Sequence, residues 1–333
     1  MMEGLGGAVL MFLVSAAFVV AAGIGLARFG DDIADVTGWG KLWVGTLLVG
    51  IATSLPEVVV NISAVWLEKN PGLALGNVFG ANMINIFVLT MVALVFGVQN
   101  LFGNQGRDTE LLILTALALA ATALFFGSFG DVKLVGWTSL GAILIGAGYV
   151  YGMRRVYTAG RTDMDLDDIR PPSGAAARNA WIGFLASVAV VIVAGRYLAA
   201  SADAIAEASG ISASFIGVLL VSIVTTLPEG TVSVTAALRR SYGIAMGNVY
   251  GSCAFNVTII CIADLFHTEG PLLREMQGAH FAAVIAALVL MGMGYAIYRL
   301  CRSAALRPAR LVTAAAPVLY VAALYVVYAL GQA

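Results

Sequence analysis

Two segments of this chain, 172 positions apart, are copies of one another, and this repeat constrains the fold more than any other feature. Residues 31–57, DDIADVTGWGKLWVGTLLVGIATSLPE, lie over residues 203–229, DAIAEASGISASFIGVLLVSIVTTLPE, with 13 of 27 positions identical. After a one-residue gap, ALGNVFGANMIN (74–85) lies over AMGNVYGSCAFN (245–256), matching Gly76 with Gly247, Asn77 with Asn248, Gly80 with Gly251 and Asn85 with Asn256. Chance apolar resemblance would not hold Pro-Glu and Gly-Asn in register over both blocks.

What the repeat builds depends on what lies between its copies. Apolar stretches fall near 6–27, 42–66, 73–97, 110–127, 133–153, 180–200, 212–238, 243–264, 277–299 and 309–330. Most of them reach the roughly 20 apolar residues a membrane-spanning helix needs. The chain is 60% hydrophobic and only 11% charged, whereas a soluble domain carries about 25% charged residues. That excludes a water-soluble enzyme. The runs are continuous rather than alternating, so the expected fold class is an all-α membrane protein of ten transmembrane helices, not a barrel. Five spans separate the two copies. An odd number turns the second copy over, giving two inverted-topology five-helix repeats, a plan associated with secondary transporters.

Basic residues set the expected orientation. With the N-terminus outside, the inward loops hold 14 Lys and Arg and the other side keeps only Lys69, Lys133, Arg196 and Arg274. This is a positive-inside pattern. Both termini are therefore expected outside a cell (inner) membrane. Residues 1–153 form the first five-helix repeat, 180–333 the second, and 154–179 a polar cytoplasmic linker with Pro171–Pro172. The N-terminus lacks the basic start of a secretory signal and reads as a retained first span. Within the linker, Asp163, Asp165, Asp167 and Asp168 lack the Gly and Glu that an EF-hand requires at its positions 6 and 12. Cys253, Cys261 and Cys301 sit in apolar runs without metal-site spacing and read as core residues. A net charge of −1 leaves no basic face for nucleic acid.

Of 19 acidic residues, only Glu57, Glu229 and Asp264 fall inside apolar spans beyond a span's first residue, which in one case is Glu110. Asp264 ends its span and reads as interfacial. Glu57 and Glu229 lie deep, at the same position of each repeat, where an ionised side chain costs about 2.5–3.5 kcal/mol even on a lenient scale. No Lys or Arg lies at comparable depth in a span to neutralise them. Each follows a proline, and Pro56 and Pro228 remove a helical hydrogen bond and free carbonyls near Ala52 and Val224. Thr53, Ser54, Thr225 and Thr226 add hydroxyls, and Asn85 and Asn256 add amide oxygens from the neighbouring spans. Two carboxylates among neutral oxygens, without imidazole or thiolate, suit a hard cation such as calcium or sodium.

TSLPE with GNVFGANMIN, repeated as TTLPE with GNVYGSCAFN, resembles the α-repeats of the calcium/cation antiporter superfamily, in its prokaryotic sodium/calcium exchanger branch. The resembling segments are 45–94 and 216–265. The resemblance implies alternating access around an ion site enclosed by spans 2, 3, 7 and 8. Glu57 and Glu229 would be shared calcium and sodium ligands, Thr53, Ser54, Thr225 and Thr226 would supply further oxygens, and Ser252, Asn85 and Asn256 would complete the site. Two departures stand out. Ala81 occupies the place of Ser252 in the first repeat, where exchangers often have a hydroxyl, and Asn256 stands where many carry Asp. The expected function is sodium/calcium antiport with no cofactor, the transported ions being the partners together with the lipid bilayer. Calcium/proton or other divalent cation exchange is the alternative, because protons can also neutralise two carboxylates. Oligomeric state is left open by the sequence. From another class, DDIAD (31–35) has the DDxxD spacing that intramembrane prenyltransferases use to hold magnesium diphosphate. Its repeat equivalent, DAIAE, loses the second acid, which argues against an enzyme.

Overall fold

In the computed structural model, which describes residues 5–67, 69–162, 174–209 and 222–331, the apolar runs are helices almost throughout. The first, α1 (Leu5–Thr37), continues past its apolar stretch through the acidic DDIAD segment. Gly38 and Gly40, both at positive φ, then turn the chain. The second run is broken. Helix α2 (Lys41–Thr53), wound as a π-helix over Val44–Val49, is followed by α3 (Leu55–Trp66) at an angle of 43°. The break falls at Ser54 (φ −88°, ψ 7°), two residues before Pro56, whose ring nitrogen has no hydrogen to continue the ladder.

Asn70 caps α4 (Pro71–Phe96), its side-chain oxygen accepting from Leu73 N at 3.1 Å. Beyond it come α5 (Arg107–Phe129), a short hairpin of β1 (Lys133–Val135) and β2 (Thr138–Ser139), and α6 (Leu140–Thr162). The second half contains α7 (Gly174–Ser209), α8 (Leu227–Leu238), α9 (Tyr242–Asp264), α10 (Gly278–Arg302) and α11 (Leu306–Gly331). A helical turn at 222–225 precedes α8 and breaks from it at Thr226 (φ −84°, ψ 0°), nearly the geometry found at Ser54.

Among the described residues, seven helices are long and apolar enough to cross a membrane, and the bent pair α2–α3 makes eight if counted as one span. The fold is thus an all-helical membrane bundle, with the hairpin as its one described departure. Helix α6 is not among the seven; its second half carries arginines at 154, 155 and 161. The expected span 212–238 lies partly outside the described residues, and the linker acids at 163–168 lie wholly outside them.

One expected boundary is corrected. The span placed at 133–153 begins at Leu140, where main-chain N–H groups on either side of that residue are taken by carboxylates. Asp131 accepts from Val132 N at 2.8 Å and Gly141 N at 2.9 Å, and Asp264 accepts from Ser139 N at 2.8 Å. With these donors engaged and Gly136 at φ 61°, the segment turns as a hairpin instead of winding. At the linker, helix runs in from both sides, to Thr162 and from Gly174.

Helices α4 and α9 cross at the centre, and α9 is the most buried of the spans. Against α9 lies α2, and α1 runs along α7 and α8. The close approach of α2 to α9 requires glycine. A Cβ on Gly45 would stand 2.7 Å from Ile244 O, and one on Gly251 would stand 2.8 Å from Thr46 Cα. Gly247 faces Leu42 O still more closely. Gly45 and the GNxxG glycines Gly247 and Gly251 bring one half of the chain against the other at main-chain distance.

Candidate functional site

The breaks at Ser54 and Thr226 place Glu57 and Glu229 in the first turns of α3 and α8. Both glutamates are 1% exposed. Among the described residues neither is paired with Lys, Arg or His, and the two carboxylates are close enough to repel each other.

Around them the two halves are unequal. Ser54, from the break in the first half, crosses over and donates to Glu229 Oε1 at 2.9 Å, and Ser252 Oγ lies 3.4 Å from the same oxygen. Ser252 also reaches Gly50 O at 3.3 Å. Thr226, the counterpart of Ser54, donates back to Ser222 O on its own chain segment, and Thr225 lies 3.5 Å from the same carbonyl. Thr53 donates to Gly50 O and approaches Asn248 Oδ1 at 3.3 Å. Ala81 offers nothing where Ser252 offers a hydroxyl. Consequently both oxygens of Glu57 and Oε2 of Glu229 are buried without a hydrogen-bond donor, as are Asn85 Oδ1 and Asn256 Oδ1.

Buried carboxylate oxygens without donors are costly, because burial removes water and nothing replaces it. Three such oxygens belong to Glu57 and Glu229 on α3 and α8, and two buried amide oxygens, on Asn85 of α4 and Asn256 of α9, likewise have no donor. The donor set is entirely oxygen, which fits a hard cation and not zinc or copper. The glutamates and asparagines of the proposed set fall on four helices, and Ser54 and Ser252 bond to Glu229 from outside α8. Thr226 engages Ser222 O, Thr225 lies 3.5 Å from that carbonyl with its side chain also against Glu57, and Asn85 has neither side-chain atom engaged.

Several amides that the sequence reading left out of the ligand set support this centre. Asn248 donates to Glu229 O and to Ser233 Oγ, each at 3.1 Å, bracing the first turn of α8. Asn61 donates to Glu57 O at 2.7 Å and braces α3 similarly. Asn77 accepts from Ser222 Oγ at 3.3 Å, and Asn82 links α4 to α9. A helical spacing signal was available for some of these. Asn77, Ala81 and Asn85, like Asn248, Ser252 and Asn256, stand four apart and so share one helix face.

Two other acidic features resolve differently. Asp31, buried at 6% exposure, pairs with Lys41 at 2.7 Å and Arg239 at 3.2 Å and accepts from Ser241 at 2.6 Å. Asp35 lies 3.7 Å from Lys41 and Asp32 lies 3.9 Å from Arg239. DDIAD is thus a helix end tied to two cations. Asp264, the last residue of α9, is fully buried. Its oxygens accept from Ser139 N and Leu272 N, each at 2.8 Å, tying two loops to the end of α9.

Fold and site together define a multi-pass membrane protein built around a buried pair of carboxylates. The family described as sodium/calcium exchanger protein matches residues 7–153 and 179–331, which is most of the chain. The chain belongs to that family, a family of transporters. A sodium/calcium exchanger of Methanosarcina acetivorans, MaX1, is 26% identical over 297 residues, covering 78% of this chain and 83% of the relative. The inner membrane protein YrbG of Escherichia coli is 26% identical over 233 residues, covering 69% and 71% respectively. Among solved structures, the sodium–calcium exchanger NCX_Mj has the same fold, with a TM-score of 0.72 over 96% of this chain and 98% of that one, at 20% identity.

Proposed function

We propose that this protein is a secondary active antiporter that exchanges sodium for calcium across the cell membrane by alternating access. The observation that carries the proposal is the set of donor-free buried oxygens on Glu57, Glu229, Asn85 and Asn256. A cation is the group that would satisfy them together, and its charge would offset the repulsion between the carboxylates. Family membership and the similarity to MaX1 support sodium and calcium as the ions.

Thr53, Ser54, Thr225, Thr226 and Ser252 contribute hydroxyl or main-chain oxygens in this reading. Two carboxylates balance one calcium ion or two sodium ions. A third sodium would leave a net positive charge with no third acid to offset it, since Asn82, Asn85 and Asn256 are neutral amides. The simplest rule is that the site holds sodium or calcium, not both. With neither bound, two bare carboxylates would have to cross a low-dielectric region, which disfavours the empty carrier's transition between faces. That penalty couples the two fluxes.

We also place the chain as ten spans in two inverted repeats, 1–153 and 180–333, with both termini outside and 154–179 cytoplasmic. The near-identical break geometry at Ser54 and Thr226 supports the repeat. So does the positive φ shared by Lys69 and Arg240, which stand just before α4 and α9.

Calcium-45 uptake into proteoliposomes under an imposed sodium gradient tests the proposal. Uptake should follow the sodium gradient and should vanish in Glu57→Gln and Glu229→Gln. Uptake driven by a pH gradient and indifferent to sodium would transfer the assignment to calcium/proton exchange. Uptake surviving both substitutions would remove the site.

A further inference from the structure

Asn82, outside the ligand set above, lies fully buried where α4 crosses α9, and its bonding has a fixed polarity. The main-chain oxygen of Cys253 can only accept a hydrogen bond, so the atom of Asn82 that lies 3.2 Å from it must be the amide nitrogen. That turns Asn82 Oδ1 the other way, toward Asn256, and an oxygen there requires a donor. Asn256 therefore presents Nδ2, at 3.2 Å. Its own Oδ1 is left buried and without a donor, like the oxygens of the glutamates. Reversing either amide would set oxygen against oxygen or nitrogen against nitrogen in a buried place.

The other half of the molecule lacks this device. Asn85 holds the place of Asn256, but the residue in the place of Asn82 is Cys253, a free thiol. Both side-chain atoms of Asn85 are accordingly unengaged. Of two amides related by the repeat, one is held with its oxygen preset and the other has no hydrogen bond that fixes which atom faces where.

We infer that Asn82 is a positioning residue that aims the carboxamide oxygen of Asn256 into the ion site, so that this half of the site is organised before the cation arrives. The inference rests on the exchanger reading above, because the oxygen it presents needs a cation to receive. It makes Asn82 act on calcium only through Asn256.

A double-mutant cycle tests this with the full-length protein in proteoliposomes, reading the apparent calcium affinity of sodium-driven uptake. Asn82→Ala and Asn256→Ala should each weaken affinity about tenfold, and the double variant should stand at the same tenfold, because the second change has nothing left to act through. Losses that multiply to about a hundredfold would overturn the inference, as would an unchanged Asn82→Ala protein. If Asn82→Ala cannot be purified as a folded protein, the cycle is run with Asn82→Leu, and multiplied losses there overturn the inference equally. Wild-type protein that moves no calcium would overturn the exchanger reading itself, whereas these outcomes leave that reading standing.

Discussion

Replacing Gly247 by alanine should damage both stability and calcium binding, and the structure gives the size of the effect. The new methyl would press on Leu42 O and stand 2.9 Å from Thr46 N and 3.1 Å from the Gly45 carbonyl carbon. Ordinary contacts of a Cβ begin near 3.4 Å, and all three neighbours are main chain, so no rotamer change relieves the clash. Helices α2 and α9 must part by roughly 0.5–1 Å, and such overpacking costs about 1–3 kcal/mol. Two bonds between them, Ser252 to Gly50 O and Thr53 to Asn248, are already 3.3 Å long and would be lost. At about 0.5–1.5 kcal/mol each they bring the total to roughly 2–6 kcal/mol. Because Ser252 also flanks Glu229, calcium should bind at least about tenfold more weakly, a change of about 1.4 kcal/mol. Gly80→Ala is the control. Its methyl would meet Ser222 Oγ at 2.7 Å, a side-chain end that can rotate away. Thermal unfolding followed by tryptophan fluorescence, with and without calcium, reads both effects. The reasoning fails if Gly247→Ala unfolds within about 1 °C of wild type with calcium affinity intact, or if Gly80→Ala proves the more harmful change.

The unequal halves predict unequal hydroxyls. Ser54→Ala removes a hydrogen bond to a carboxylate, worth about 1.5–3 kcal/mol, so calcium affinity should fall about tenfold or more. Thr226→Val should cost under about threefold, because that hydroxyl serves Ser222 O; isothermal titration that reversed the order would refute the assignment. Asp264→Ala strands the N–H groups of Ser139 and Leu272, each costing about 1–3 kcal/mol. It should lower the unfolding temperature while leaving calcium affinity unchanged, and an affinity loss would refute that separation. Asp31→Asn weakens the tie to Lys41 and Arg239, whose side chains are 42% and 38% exposed. A loss of about 1–2 kcal/mol that shrinks in high salt is expected in denaturation scans. Calcium binding should also weaken as pH falls, since a protonated Glu57 or Glu229 no longer offsets the charge of the ion; titration at several pH values checks the direction.

Much of this molecule is legible in one dimension because the signals are local or periodic. Apolar runs give helices, and the register of Pro56-Glu57 with Pro228-Glu229 gives paired breaks and the two buried acids. Positions four apart on α4 and α9 give the oxygen-bearing faces. The hairpin at 133–139 was not legible, since the carboxylate that holds Ser139 N comes from Asp264, 125 positions away. DDIAD carried a metal-binding spacing in the sequence, and only the approach of Lys41 and Arg239 gives Asp31 its partners.

The sequence by itself determined the membrane class, the repeated halves and the two glutamates that cannot be left unsatisfied in an apolar span. Only the tertiary structure decided how those halves differ. Ser54 reaches across to Glu229 while Thr226 turns back, and Asn82 holds Asn256 while Cys253 leaves Asn85 without a hydrogen bond. Such choices depend on how each helix is rotated and how closely α2, α4, α8 and α9 approach. That approach is set by main-chain contact at Gly45, Gly247 and Gly251, between residues about 200 positions apart, so no local pattern records it.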